Sequence, residues 1–178
     1  MIEEVILVDA NDHAIGTMEK MEAHEKGLLH RAFSILLINE KGEMLLQQRA
    51  LEKYHSPGLW TNACCSHPRP TESNLDAAYR RLEEELGMSV DLKEIFHFTY
   101  RAEFDHGLIE HEIDHVFLGL TNENPKINLT EVLSYKWINL YELKQDMIAH
   151  PDKYTAWFNL LMVDYYSSIE NALKHESK

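Results

Sequence analysis

Cysteine is scarce in this sequence, because the 178 residues include only Cys64 and Cys65, which are neighbours. Adjacent cysteines can pair only in a strained vicinal ring, so a disulfide framework is excluded. Glycine and proline are also few, with 7 and 5 residues, and neither linkers nor repeats divide the chain. With 44% hydrophobic residues, the length predicts one domain over residues 1–178 with a continuous core.

Basic residues are also under-represented. The chain has 17 Lys and Arg against 30 Asp and Glu, a formal charge of -13. Nucleic-acid binding needs clustered positive charge, so this balance argues against a nucleic-acid partner. A phosphate-bearing ligand must then be held locally, with the help of a metal ion.

Long apolar stretches are missing too. No segment approaches the roughly 20 apolar residues of a membrane span, and the acidic N-terminus lacks the pattern of a signal peptide. We therefore expect a soluble cytoplasmic protein without a membrane partner. The sequence leaves open whether it is a monomer or a homodimer.

The hydrophobic pattern predicts a mixed α/β domain in which helices flank a β-sheet. Residues 4–8 and 13–17 form a predicted N-terminal hairpin, and residues 31–38 and 43–49 a second one. Further strands are predicted at residues 92–104, 108–120 and 134–138. Residues 20–31 show no sustained periodicity, so His24 and His30 are expected on a loop.

Three helices are predicted. The strongest covers residues 74–86, with a Ser or Thr cap before it and Gly87 after it. Three glutamates crowd its negative C-terminal end, and pairs from Arg80 to Glu84 and from Arg81 to Glu85 partly offset them. A helix at residues 140–150 stops before Pro151, and a last helix over residues 154–175 has an apolar face that covers the sheet.

Carboxylates alternate along the predicted strand at residues 108–120. A period of two places Glu110, Glu112 and Asp114 on one face, and His111 and His115 on the other. Three carboxylates in a row repel one another unless a cation or water occupies that face.

The predicted helix at residues 74–86 carries a recognisable acidic pattern. By itself, this pattern is also typical of a solvated amphipathic helix with ion pairs. With the glutamate that precedes the helix, it resembles the Nudix box, through Glu72, Arg80, Glu84, Glu85 and Gly87. The resemblance implies a Nudix-like fold whose helix presents carboxylates to a magnesium-bound diphosphate.

Two positions depart from that box. Ser66 stands where the box begins with glycine, and Arg81 stands where Nudix hydrolases carry a metal-binding glutamate. Both departures fit one branch, because the chain resembles the type I isopentenyl-diphosphate isomerases over nearly its whole length. The most specific shared segment is the octapeptide TNACCSHP at residues 61–68.

This resemblance implies a set of site residues. Cys65 matches the catalytic thiol and Glu112 the catalytic carboxylate, whereas Cys64 lies where the family tolerates other residues and is expected to pack in the core. A five-ligand site for Mn²⁺ or Zn²⁺ is implied at His24, His30, His67, Glu110 and Glu112. Glu85 matches the residue that holds Mg²⁺ on the substrate, and the diphosphate is expected at Lys20, Arg49, Lys53 and Arg81. Trp157 and Tyr100 are expected to stabilise a carbocation.

The residue chemistry is consistent with this reading. Moving a carbon–carbon double bond requires an acid and a base on either side of the alkene. A thiol is mostly protonated at neutral pH and a metal-bound carboxylate stays ionised, so Cys65 and Glu112 suit the two roles. Which of them donates first stays open, as do the direction of the reaction and a lid role for the last helix.

Each of these assignments has an alternative. Free cysteines are usually small buried hydrophobes, and histidines outside a site are usually exposed. At the level of function, the alternatives are a Nudix diphosphohydrolase and a metal-binding module without catalysis on the same fold.

Overall fold

Nine strands form one mixed sheet in the computed structural model, which describes residues 2–176. The strands are β1 (Glu4–Val8), β2 (Ala14–Glu19), β3 (His30–Ile38), β4 (Glu43–Arg49), β5 (Trp60–Thr61), β6 (Cys64–Ser66), β7 (Leu92–Glu103), β8 (Ile109–Leu120) and β9 (Val132–Asn139). The helices are α1 (Lys20–Lys26), α2 (Asn74–Leu86), α3 (Leu140–Ala149), α4 (Ala156–Asp164) and α5 (Tyr166–Glu176). The predicted α/β class is confirmed.

Strand β3 lies at the centre of the sheet. It runs parallel to β8, from the pair His30 and Glu112 to the pair Ile38 and Leu120, and antiparallel to β6. Its side chains face two cores: Phe33, Ile35 and Leu37 pack with α2, whereas Leu36 and Ile38 pack with α4 and α5. Burial on both faces explains why this strand is a continuous apolar run.

The N-terminal hairpin is confirmed, since β1 and β2 pair antiparallel with one irregularity after Leu7. The second predicted hairpin is wrong except for the pairing next to its turn. Strands β3 and β4 pair only at Ile38 and Met44, and β4 then pairs along its length with β9. The two strands separate because β3 pairs with β8 and β6. Strand β4 therefore pairs with β9, which comes much later in the sequence.

The loop predicted for residues 20–31 is also wrong. Helix α1 begins after Glu19, whose carboxylate accepts hydrogen bonds from the backbone N–H groups of Met21 and Glu22, and it ends at Gly27 in the left-handed conformation. His24 lies on this helix, and His30 is the first residue of β3. With seven residues, α1 is too short to show a periodic pattern.

Helix α2 and the pair of strands after it are confirmed. Ser73 caps α2 through a hydrogen bond from the backbone N–H of Asp76, and Gly87 ends it. Arg80 and Arg81 contact Glu84 and Glu85 as expected. Strands β7 and β8 pair antiparallel around the predicted turn at residues 105–107.

The predicted last helix is interrupted. Helix α4 ends at Asp164, and α5 starts at Tyr166 after Tyr165 leaves the helical conformation. The ring of Tyr165 lies 5.4 Å from that of Phe96 and 4.6 Å from that of Phe98, both on β7. We attribute the break to this packing, which local sequence does not reveal. No helix within residues 2–176 is long and apolar enough to cross a membrane.

Gly119 allows close packing between β8 and the core beside α2. A Cβ atom at this position would lie 2.9 Å from methyl groups of Leu37 and Val90 and 3.0 Å from one of Leu92. We expect Gly119→Ala to lower the free energy of unfolding by about 1–3 kcal/mol through overpacking. Chemical denaturation measures this change.

Gly16→Ala is the matched control, because a Cβ there meets no atom of the described residues within 4 Å. Its expected effect stays within about 0.5 kcal/mol. Equal losses in the two variants would contradict the packing argument.

Candidate active site

The carboxylates of β8 line the inner face of the sheet. Glu110, Glu112 and Asp114 are 4%, 5% and 2% exposed, so the predicted alternation brings three acidic groups into the protein interior. Together with Cys65 they border one cavity. Burial of carboxylates costs free energy unless hydrogen bonds or positive charges compensate it, so these three groups need such partners nearby.

Three histidines converge on Glu112. His24 comes from α1, His30 from the start of β3, and His67 from the segment after β6. Their Nε2 atoms lie 4.0, 3.3 and 2.8 Å from Glu112 Oε1. Three regions that are distant in sequence, at residues 24–30, 67 and 112, therefore place ligand atoms within 4.8 Å of one another.

Two of these rings are oriented by the backbone. His24 Nδ1 lies 2.7 Å from the carbonyl oxygen of Lys20, and His30 Nδ1 lies 2.8 Å from that of Leu28, so each Nδ1 carries the donated proton. Within residues 2–176, the buried Nε2 atom of neither ring has a hydrogen-bond partner. Free Nε2 lone pairs aimed at a carboxylate, with Nδ1 held from behind, are typical of metal ligands.

The electrostatics of the cluster suit a cation. Burial lowers the pKa of His24 to about 4, with His67 adding to the effect, so its imidazole is neutral at pH 7. Burial alone would raise the pKa of Glu112, but His67 and His30 hold it well below its ordinary value. The neutral imidazole of His24 beside the ionised Glu112 carboxylate fits a divalent metal ion.

Tyr100 on β7 links the two glutamates. Its hydroxyl oxygen lies 2.8 Å from Glu110 Oε2 and 2.6 Å from Glu112 Oε2, and shares its hydrogen between them. Burial and the two carboxylates raise the pKa of Tyr100 well above its ordinary value, so the hydroxyl remains a donor. Tyr100 thereby fixes both Oε2 atoms and leaves the Oε1 atoms to face the histidines.

The two cysteines face opposite ways. Cys64 is fully buried in the core beside α2. Cys65 is partly buried, pairs with Ser34 of β3, and borders the same cavity as Glu112 and Trp157. Burial raises the pKa of the Cys65 thiol above its ordinary value despite the nearby Arg49 cation, so the thiol carries its proton at neutral pH.

Trp157 of α4 forms part of the cavity wall and is 3% exposed. The guanidinium carbon of Arg49 lies 5.3 Å from the centre of its ring. In the described part of the chain, the buried Trp157 Nε1 and Arg49 Nε have no hydrogen-bond partner. Both therefore remain able to donate to a ligand.

The predicted cations line the same cavity, and three of the four lie beside an acid. Lys20 contacts Glu3, Lys53 contacts Glu131, and Arg81 contacts Glu85. Glu85 is 4% exposed and also accepts a hydrogen bond of 2.8 Å from Gln47 Nε2. The structure thus brings all thirteen predicted site residues to one cavity or to the histidine cluster against it.

Sequence reasoning missed Tyr54, His55 and Asp114 as parts of this region. Tyr54 and His55 lie between Lys53 and the turn at residues 57–58, in a loop without periodicity. Their position directly after a predicted diphosphate-binding lysine was the available signal. Asp114 was assigned to the correct face of β8 without a role; Ser34 donates a hydrogen bond of 2.7 Å to it, and burial raises its pKa well above its ordinary value.

Comparison with known sequences gives consistent results. Residues 28–158 match the NUDIX domain family. A protein named isopentenyl-diphosphate Delta-isomerase from Pectobacterium atrosepticum is 50% identical over 173 residues, covering 96% of this chain and 97% of that protein. One of the same name from Serratia proteamaculans is 49% identical over 164 residues, covering 92% of each chain.

Solved structures share the fold at low sequence identity. The DR0079 protein of Deinococcus radiodurans superposes with a TM-score of 0.69 at 16% identity, covering 83% of this chain and 90% of that one. A MutT protein from Methanosarcina mazei Go1 gives a TM-score of 0.62 at 22% identity, covering 84% and 96%.

Proposed function

Because this chain belongs to the NUDIX domain family and, within it, to the isopentenyl-diphosphate Delta-isomerases, we propose that it interconverts isopentenyl and dimethylallyl diphosphate. We further propose that residues 1–178 act as one catalytic domain. The observation that carries the proposal is that a protonated thiol, Cys65, and an ionised carboxylate, Glu112, border one cavity.

The reaction needs one proton added and one removed. Addition of a proton to the terminal CH₂ carbon of isopentenyl diphosphate leaves a tertiary carbocation, and loss of a proton from the neighbouring CH₂ forms the new double bond. We assign these transfers to Cys65 and Glu112, which come from different strands. General acid–base groups placed in this way contribute about 10²–10⁴-fold each.

We propose that the histidine cluster binds Mn²⁺ or Zn²⁺, with His24, His30, His67, Glu110 and Glu112 as ligands. The unpartnered Nε2 atoms and the mixed imidazole and carboxylate donors support a transition metal over calcium. When bound, the ion keeps the Glu112 carboxylate ionised and oriented. His67 then anchors the segment that carries Cys65 next to Glu112.

The other half of the cavity suits a diphosphate. We assign its binding to Lys20, Arg49, Lys53 and Arg81, and propose that Glu85 would hold Mg²⁺, which would offset the negative charge of the phosphates. In the structure Lys20, Lys53 and Arg81 contact carboxylates at the cavity wall, so an incoming diphosphate exchanges those contacts. This local clamp accommodates a phosphate ligand despite the net charge of -13.

The carbocation requires an electron-rich surrounding without water. We propose that Trp157 supplies an aromatic face, since a desolvated cation over an indole gains roughly 2 kcal/mol or more. Tyr100 lies on the same cavity and, through its contacts with Glu110 and Glu112, keeps the base oriented. Both side chains are at most 5% exposed.

An isotope experiment tests the function directly. Incubation of the metal-loaded protein with isopentenyl diphosphate and Mg²⁺ in D₂O is expected to yield dimethylallyl diphosphate with deuterium in its new methyl group. Mass spectrometry and NMR follow the formation of dimethylallyl diphosphate and the uptake of deuterium. If folded, metal-loaded protein gives neither product nor deuterium uptake, the proposal is wrong.

The hydrolase alternative makes the opposite prediction, namely phosphate release from nucleoside or other diphosphates. Arg81 argues against it, because this side chain contacts Glu84, Glu85 and Glu131 where a hydrolase has another metal-binding carboxylate. Bound metal with no turnover of either substrate class would instead select the non-catalytic alternative.

A further inference from the structure

A fourth histidine lies beside the proposed metal site. His55 belongs to the loop between β4 and β5, and its ring is 6% exposed. Its Nε2 atom lies 2.9 Å from Glu110 Oε1. With His24 and Glu110 it forms a second group of three buried residues, whose ligand atoms lie within 4.8 Å of one another.

This group overlaps with the first one. His24 belongs to both, and the Tyr100 hydroxyl contacts the Oε2 atoms of Glu110 and Glu112, which links the two groups. The ring centres of His24 and His55 are 6.3 Å apart. The two groups share His24 and are linked through Tyr100, so six side chains line one region.

The separation of His55 and Glu110 matches a particular coordination geometry. In an octahedral complex with metal–ligand bonds of about 2.1 Å, neighbouring ligand atoms lie about 3 Å apart. The 2.9 Å between His55 Nε2 and Glu110 Oε1 has this value. The 2.8 Å between His67 Nε2 and Glu112 Oε1 is similar.

The ring of His55 is held in place from several sides. It stacks on Phe104 with centres 4.9 Å apart and contacts the edge of Trp157 at 5.6 Å. Its Nδ1 atom lies 3.4 Å from the hydroxyl oxygen of Ser56, which leaves Nε2 for the side of the metal site. The packing thus fixes the direction in which Nε2 points.

We propose that His55 is a direct ligand of the transition metal, so that four histidines, Glu110 and Glu112 bind one six-coordinate ion. The inference rests on the proposed function insofar as that function assigns Glu110 and Glu112 to the metal. A six-ligand site favours ions that accept octahedral coordination, such as Mn²⁺ or Co²⁺, over four-coordinate Zn²⁺.

Two variants test this ligand role in the full-length protein. His55→Ala removes the ring, and His55→Phe retains an aromatic ring for stacking on Phe104 but has no ligand atom. Both are expected to lower the affinity for Co²⁺ about 10–100-fold, measured by competition with a chelator. Both should also intensify the visible absorption bands of bound Co²⁺, because these bands strengthen when the coordination number falls below six.

Two further measurements sharpen the test. His150→Ala, which removes an exposed histidine at the end of α3, should change neither affinity nor spectrum. Added imidazole should restore the six-coordinate spectrum in His55→Ala, where the ring has left space, but not in His55→Phe. Thermal unfolding of the metal-free proteins verifies that the variants fold.

Unchanged affinity and spectrum in both variants would overturn the inference. Weaker binding with an unchanged Co²⁺ spectrum would overturn it too, because His55 would then only orient Glu110. Metal binding is measured without substrate, so these results stand apart from the D₂O experiment. Failure of turnover and failure of the His55 assignment are therefore distinguishable.

Discussion

Replacing Cys65 with alanine is expected to lower kcat for isopentenyl diphosphate by about 10²–10⁴-fold, the usual contribution of a general acid or base. The thiol borders the cavity, and its raised pKa keeps the proton on sulfur at neutral pH. Alanine has no exchangeable proton to give. Initial rates of dimethylallyl diphosphate formation measure the effect.

Cys64→Ala is the matched control, because it removes the same thiol group from the adjacent position. Cys64 is fully buried against α2 and away from the cavity, so this variant should retain most of the activity and lose only some stability. Full activity in Cys65→Ala, or equal losses in both variants, would overturn the assignment of Cys65.

Glu112→Gln is expected to cause a loss of turnover of similar size and also to weaken metal binding. The carboxylate lies within 4.0 Å of three histidine Nε2 atoms and is held ionised by two of those histidines. Glutamine has nearly the same shape but neither the charge nor the ability to take up a proton. Elemental analysis and steady-state kinetics report the two effects separately.

Glu110→Gln separates metal binding from proton transfer. Glu110 shares the contact with Tyr100 and the proposed ligand role, but it is not the proposed base. We expect saturating metal to restore turnover in Glu110→Gln and to leave Glu112→Gln inactive. Recovery of both variants at high metal concentration would show that Glu112 acts only as a ligand.

Much of the site was predictable because its signals are local. The period of two along β8 placed Glu110, Glu112 and Asp114 on one face without any knowledge of the fold. Helix α2 carries its own start and end signals in Ser73 and Gly87. The octapeptide at residues 61–68 is specific enough to indicate the family.

Other features depend on packing between distant segments. The break at Tyr165 follows from contacts with Phe96 and Phe98, and the separation of β3 from β4 follows from the pairing of β3 with β8. Neither cause lies within the few neighbouring residues from which periodicity and propensity are read.

The proposed metal site shows the same division. Residue types and a family resemblance by themselves indicated which side chains form the site, and composition by itself indicated that phosphate must be bound locally. Only the tertiary structure decided that His24 lies on a helix, that Tyr100 joins the two glutamates, and that His55 lies beside Glu110. The physical reason is that a ligand cluster is defined by directions and distances between atoms, and these arise when separate elements pack on one sheet.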